Sequence, residues 1–259
     1  MTVLQNDPLL WRDKLPAPDP QGHKYGRGVA IIFGAPKMTG ATRLAARACA
    51  RIGAGLVRVI APQGAGEIYR ATLHEEIVVE DAADFKGFGD PRIRVVLIGS
   101  GFRPEDVDST MFSAAGTISM VLDAGAFTAW PGGGDPSRVV VTPHEGEFAA
   151  RFGKAEPKIS KAEEAALRIG ATVVLKGPQT VIAGAFETIV QDRAAPELAT
   201  AGTGDVLAGM IAGLLAQGME TTWACAAAIW IHAEAAERFG RGMVASDLPD
   251  MIPAVLRDL

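Results

Sequence analysis

Short apolar runs rich in β-branched residues alternate with stretches of helical composition from Gly28 onward, and this alternation limits the fold more than any other feature. The runs are VAIIF from Val29, LVRVI from Leu56, VVLIG from Val95, ISMVLDAG from Ile118, RVVVTP from Arg138 and TVVLKG from Thr172. Between them lie segments such as Ala41–Ile52, EGEFAARFG and KAEEAALRIG. Strands apolar on both faces, separated by helices, predict a mostly parallel sheet covered on both sides, an α/β architecture. The last third reads as helices over Thr203–Gln217, Thr221–Phe239 and Asp247–Leu256. At 259 residues, the chain fits one large domain, given a prior of roughly 150 residues per domain. We therefore expect a single α/β domain over residues 28–259. Residues 1–27, rich in Pro and Asp, read as an extension with a short helix over Pro8–Lys14.

Composition excludes several classes. Hydrophobic residues make up 48% of the chain and aromatics only 6%, so the core has to come from Ala, Val, Ile and Leu, and disorder is excluded. Net charge is −5 with no long basic run, which leaves no electrostatic footprint for nucleic acid. Cys49 and Cys225 sit in Ala-rich helical stretches and read as small buried hydrophobes. MTVLQNDPLLWRDK has neither a cationic start nor an apolar core, so no signal peptide is expected. Val206–Ala216, the longest apolar run, is too short to span a bilayer. A cytoplasmic protein with no membrane partner is the expectation.

In open parallel sheets, ligands bind beyond the carboxyl ends of the strands. The residues directly after each run therefore matter most. They are GAPKMTGA (Gly34–Ala41, with Thr39 as a donor), the Gly99–Gly101 turn, Asp123, His144 with Glu147, and Lys176 followed by Gly177, Pro178, Gln179 and Thr180. The richest stretch is LATAGTGDVLAG: a turn with Gly202, Thr203 and Gly204 feeds an apolar helix that carries Asp205 near its start. Free N–H groups at a helix start bind phosphate, and glycines let the anion approach the backbone. Two readings fit Asp205, a helix N-cap or a base that takes a proton from a hydroxyl attacking phosphorus. Two readings fit Lys176 as well, a solvated residue of a β-hairpin turn or a phosphate cation. Glu147 either closes a capping box with Thr142 or takes part in the site. His23, His74 and His232 fall at no strand end and read as structural. No His, Cys, Asp and Glu cluster has zinc spacing, and no GxSxG element is present.

Together HKYGRG, GAPKMTGATRLAARACARIGAGLV, VLDAG, VTPHEGEF, VVLKGPQTVIA and LATAGTGDVLAG resemble the ADP-dependent NAD(P)H-hydrate dehydratases. These form the carboxyl-terminal half of bifunctional nicotinamide-nucleotide repair proteins and have a ribokinase-like α/β/α fold. The motifs keep the family's order from His23 to the end. The resemblance implies dehydration of hydrated NADH or NADPH (NADHX, NADPHX) at the expense of ADP, or of ATP in its place, giving AMP and phosphate. Ala41, Gly99, Gly101, His144 and Asp205 are then expected at the hydrated dinucleotide, with Asp205 as the catalytic base. Lys176, Gly177, Pro178, Gln179, Thr180, Gly202, Thr203 and Gly204 are expected at the nucleotide, and Glu147 at a magnesium ion (Mg2+). A homo-oligomer, a tetramer in many members, is also implied.

The alternative is a ribokinase-like vitamin kinase, such as those for hydroxyethylthiazole, which usually carry Asn at the position of His144. A noncatalytic nucleotide-binding subunit is a third reading, opposed by the intact Asp205. The family's GPGLG turn is Gly99-Ser100-Gly101-Phe102-Arg103 here, and its usual double glycine before Thr203 is Ala201-Gly202. The given sequence shows no epimerase half, so a stand-alone dehydratase and the excised half of a longer protein are both expected readings, with NDPLLWRDKLP, which resembles a former linker, leaning to the latter.

Overall fold

A computed structural model describes residues 2–17, 19–113, 116, 118–193 and 195–259. Ten strands form one sheet: β1 (Thr2–Gln5), β2 (Val29–Phe33), β3 (Leu56–Ala61), β4 (Ile77–Asp81), β5 (Ile93–Ile98), β6 (Ser119–Leu122), β7 (Val139–Val141), β8 (Thr172–Leu175), β9 (Thr180–Ala183) and β10 (Glu187–Gln191). Their order across the sheet is β1-β10-β9-β8-β7-β6-β5-β2-β3-β4. Only β9 runs against the others. The six runs picked out by composition are all strands, and β1, β4, β9 and β10 join them.

Strands β2 and β5 to β8, in the middle of the sheet, bury both faces. Ala30 and Ile32 enter one core while Val29, Ile31 and Phe33 enter the other. Val95 and Leu97 of β5 likewise oppose Val96 and Ile98. This period-two split between two cores is what a sheet with helices on both faces requires. On the first face lie α1 (Thr39–Arg51), α2 (Gly66–Thr72), α6 (Thr203–Ala216), α7 (Thr221–Phe239) and α8 (Leu248–Arg257). On the second lie α3 (Ala124–Ala129), α4 (Glu145–Phe152) and α5 (Lys158–Ile169). The result is a three-layer α/β/α fold. Among the described residues, no helix is long and apolar enough to cross a membrane.

The segment preceding Gly28 supplies β1, which pairs in parallel with β10. Trp11 is 0% exposed within the first core and stacks edge-on against Trp230. The Pro8–Lys14 stretch is two short 3-10 turns, Pro8–Leu10 and Arg12–Lys14, not one helix.

Helix α6 is apolar all round because it is buried between α1 and the sheet. A Cβ on Gly209 would lie 2.1 Å from the Ala45 carbonyl oxygen, and one on Gly213 would lie 2.2 Å from Ile52. The two helices therefore touch almost backbone to backbone. Gly209→Ala is expected to lower stability by about 3 kcal/mol, because rigid backbone has to move apart. Thermal unfolding checks this, and an unchanged midpoint would show that α6 shifts freely.

Candidate active site

The residues marked in the sequence gather where the parallel strands end. Strand β5 leads into the turn Gly99-Ser100-Gly101, with φ of 120° at Gly99 and 83° at Gly101. A Cβ on Gly99 would lie 1.9 Å from the Asp123 carbonyl oxygen, and one on Gly101 would lie 2.5 Å from the Met38 carbonyl oxygen. Only glycine lets this turn wedge between the end of β6 and the start of α1. The Thr42 hydroxyl fixes the wedge: it accepts from the Ala35 N–H at 3.0 Å and donates to the Ser100 carbonyl at 3.0 Å. Ala41 thereby stands against the glycine turn.

Asp123 follows β6, only 4% exposed. Its Oδ1 accepts from the Thr142 hydroxyl at 2.7 Å and lies 3.2 Å from the Lys176 Nζ. Ala124, next along, has φ of 40°, the only positive value at a described non-glycine residue. A backbone conformation of this kind persists where its surroundings over-determine it, most often at functional sites.

Lys176 follows β8, and its backbone N–H donates to the Pro143 carbonyl at 2.9 Å. Strands β8 and β9 are antiparallel, so Lys176 to Gln179 is indeed a hairpin connection. Its lysine is not solvated, however: the side chain is 20% exposed and paired with Asp123. The stretch is a hairpin turn, and its lysine is a paired charge rather than a solvated one. Gly177 to Thr180 form the turn, closed by the Thr180 hydroxyl donating to the Gly177 carbonyl at 3.1 Å. Gln179 leaves the group, donating to exposed Asp192 at 2.6 Å.

The Gly202-Thr203-Gly204 turn faces this lysine. Gly202 is the N-cap of α6 with φ of 94°, and no side chain caps the helix. Asp205 is therefore the third helical residue, and the N-cap reading of it is not what the structure shows. A Cβ on Gly204 would lie 3.2 Å from the Lys176 Nζ, so uncapped N–H groups and the ammonium share one space. Thr203 is turned inward, donating to the Leu198 carbonyl at 2.8 Å.

Burial pushes the Asp205 carboxyl up to about 7, and Asp123 and then Glu147 add to this, while Lys176 and Ser100 oppose it. Ser100, absent from the expected site, is 1% exposed, and its hydroxyl makes no full hydrogen bond among the described residues. It stands close enough to Asp205 to favour the charged form.

His144 and Glu147 open α4. His144 is the N-cap: its Nδ1 accepts from the Gly146 and Glu147 N–H groups at 3.0 and 3.1 Å. Glu147 Oε2 accepts from the His144 N–H at 2.9 Å. The capping box therefore exists, but its partner is His144 rather than Thr142, which faces Asp123. With Nδ1 accepting, the ring proton sits on Nε2 of a side chain that is 61% exposed. Glu147 keeps Oε1 outside the cap.

Beyond Lys176 opens a cavity of about 530 Å³, walled by the hairpin turn, Gly204, Leu207 and α7. His232 of α7 lines it, and burial holds its imidazole down at about 4, hence neutral. Among the described residues its Nε2 has no hydrogen-bond partner. Sequence reading passed over His232 because it follows no strand; the signal was its place on an otherwise apolar helix face. Among the described residues, one triplet could share an ion, exposed His74, Glu75 and Glu76. It lies at the amino-terminal end of β4, the opposite edge from the site. Cys49 and Cys225 are buried and unpaired.

A parallel sheet whose strand ends hold a carboxyl–ammonium pair, facing an uncapped glycine turn that opens a buried helix, defines a ribokinase-like α/β enzyme. The NAD(P)H-hydrate dehydratase family matches residues 29–256, and the chain belongs to that family. It is 38% identical over 275 residues to the bifunctional NAD(P)H-hydrate repair enzyme of Salinibacter ruber, covering 93% of this chain and 50% of that protein. The chain thus spans about half the length of such bifunctional relatives. It is 31% identical to the ADP-dependent (S)-NAD(P)H-hydrate dehydratase of Xanthomonas campestris, covering 93% of this chain and 92% of that one. In three dimensions it resembles the ADP/ATP-dependent NAD(P)H-hydrate dehydratase of Bacillus subtilis, co-crystallised with ATP/Mg2+, with a TM-score of 0.86 at 28% identity, covering 100% of this chain and 99% of that one. A hydroxyethylthiazole kinase from Pyrococcus horikoshii shares the fold alone, with a TM-score of 0.56 at 15% identity.

Proposed function

We propose that the chain dehydrates hydrated NADH or NADPH with ADP as phosphoryl donor, releasing the intact reduced dinucleotide, AMP and phosphate. The observation that carries this reading is the Asp205 carboxyl, raised to about 7 beside the uncapped Gly202–Gly204 turn. A carboxylate beside phosphate opposes simple binding, whereas a base with this pKa suits removal of a hydroxyl proton near neutral pH.

In this reading Asp205 takes the proton from the hydroxyl on carbon six of the hydrated ring. The alkoxide oxygen bonds to the β-phosphorus of ADP and AMP leaves. The ring nitrogen lone pair then expels inorganic phosphate as the C–O bond of the phosphate ester breaks. A proton leaves the neighbouring carbon, and the ring double bond is restored. The Gly202–Gly204 N–H groups and Lys176 hold the transferring phosphoryl. The AMP portion occupies the 530 Å³ cavity, along Lys176 to Thr180. Ala41, the Gly99–Gly101 turn and His144 border the dinucleotide, His144 offering its Nε2 proton.

Three carboxyl groups, Asp123, Glu147 and Asp205, stand against one ammonium here. Polyphosphate would add more negative charge. Glu147 Oε1, a hard oxygen donor, would hold magnesium directly or through water together with phosphate oxygens. When bound, the ion offsets phosphate charge. We further assign the protein to the cytoplasm and to a homo-oligomer, as a tetramer.

The deciding experiment combines purified protein, magnesium and hydrated NADH, with ADP or ATP in separate tubes. Nucleotide-dependent return of the reduced-nicotinamide absorbance is the expected result, and the better donor is identified at the same time. Folded, nucleotide-binding protein that restores no absorbance would overturn the dehydratase reading in favour of a kinase of small alcohols.

A further inference from the structure

A second cavity, about 360 Å³, lies over the carboxyl ends of β2 and β3 and takes no part in the chemistry above. Phe33, Phe85 and Phe88 wall it, packed edge to face with ring centroids 5.4–6.3 Å apart. Gly34, the first residue of the loop that reaches Ala41, forms part of its floor. Strand order places it across the site from the nucleotide cavity. The 530 Å³ cavity lies at β8 to β10, Asp123 and Ser100 follow β6 and β5, and this one lies at β2 and β3.

Neighbouring strands stand about 4.8 Å apart, so roughly 14 Å separates the end of β6 from that of β3. Two riboses and a pyrophosphate bridge such a distance. A dinucleotide whose reacting ring sits by Asp205 therefore needs a place for its second base on this side, since the nucleotide co-substrate fills the other. An aromatic wall suits a purine, which stacks on or edges against phenyl rings.

Asp108 is the only titratable group among the described lining residues. Its Oδ1 accepts from both the Thr110 N–H and hydroxyl at 2.8 Å. These bonds hold the carboxyl below its ordinary value and leave Oδ2 for another donor. A carboxylate at this point accepts from ribose hydroxyls and repels a 2′-phosphate, and no lining cation offsets the repulsion.

Resting on the dehydratase reading, we infer that this cavity binds the adenosine end of the hydrated dinucleotide and that Asp108 selects the NADH hydrate over its 2′-phosphorylated counterpart. The test compares three substrates: hydrated NADH, hydrated NADPH and hydrated reduced nicotinamide mononucleotide, which lacks the adenosine. Phe88→Ala is expected to raise KM for hydrated NADH about tenfold, the size of one lost stacking contact, and to affect the mononucleotide far less. Asp108→Asn, exposed and able to keep its Thr110 bonds, is expected to raise kcat/KM for hydrated NADPH relative to hydrated NADH about tenfold. Equal losses on dinucleotide and mononucleotide, or an unmoved NADPH-to-NADH ratio, would overturn the inference. If the wild type turns over none of the three, the dehydratase reading itself has failed. Equilibrium binding of unhydrated NADH and NADPH to the wild type and both variants then reads the same ratios without turnover.

Discussion

Asp205→Asn is expected to lower turnover by about 10²- to 10⁴-fold, the usual share of a general base, while nucleotide affinity stays within several-fold. The carboxyl stands at the third position of α6, beside the Gly202–Gly204 turn, so under the proposed reading its loss removes proton transfer and leaves the N–H groups of the turn intact. Wild-type turnover should rise as pH increases through about 7, where burial places the group, and the variant should lack that limb. Stability should move the other way. The folded carboxyl holds its proton more tightly than the unfolded one, so its contribution is full below about pH 4 and is lost as pH rises through about 7. At pH 8 the Asn variant should therefore be more stable than the wild type, by about 1–3 kcal/mol. Steady-state kinetics and thermal unfolding across pH 5–9 read both effects. A variant with near-normal turnover would remove Asp205 from the base role.

Lys176→Ala should act in two places. Losing the ammonium leaves Asp123, 4% exposed, as an unpaired buried carboxyl, a change that costs about 3 kcal/mol. It also removes a charged donor from the space shared with Gly204, so nucleotide KM should rise about 10- to 100-fold, with hydrated dinucleotide affected less. Lys176 holds the Asp205 carboxyl down, so without it the acid limb of the pH profile should move to higher pH. The double variant Asp123→Asn with Lys176→Met separates the effects, because it removes both charges together. It should recover most of the stability and none of the nucleotide affinity. Equal losses in nucleotide and dinucleotide binding would make the Lys176 turn a structural element only.

The legible part of this protein was the part written locally. Six strands announce themselves as unbroken apolar runs, because strands buried on both faces need no polar alternation. The residues after them, Gly34 to Ala41, Gly99 to Gly101, Asp123, His144 and Lys176, mark the ligand edge by the rule that parallel strands present their carboxyl ends to ligands. Local chemistry misled at two points. Asp205 after a glycine turn reads as a cap, yet Gly202 with its positive φ is the cap. A capping box joins residues three apart, and Thr142 lies five before Glu147; His144, at the right interval, caps α4 instead.

Tertiary structure alone decided what depends on partners distant in the chain. Strand β1 finds β10 some 185 residues away, and nothing in Thr2–Gln5 names that partner, because register and pairing are properties of two strands together. Ser100 became a neighbour of Asp205, and His232 a wall of the 530 Å³ cavity, only after helices and sheet were stacked. Phe85 and Phe88 lie in an irregular loop with no periodicity to read, and they form an aromatic wall only because Phe33 ends the adjoining strand. Burial of Asp205 belongs here too, since its pKa comes from the desolvation and charges that packing brings around it. Sequence by itself determined which residues line the carboxyl edge of the sheet. The packed structure determined the electric field they share, because field and burial depend on distances that no run of adjacent residues specifies.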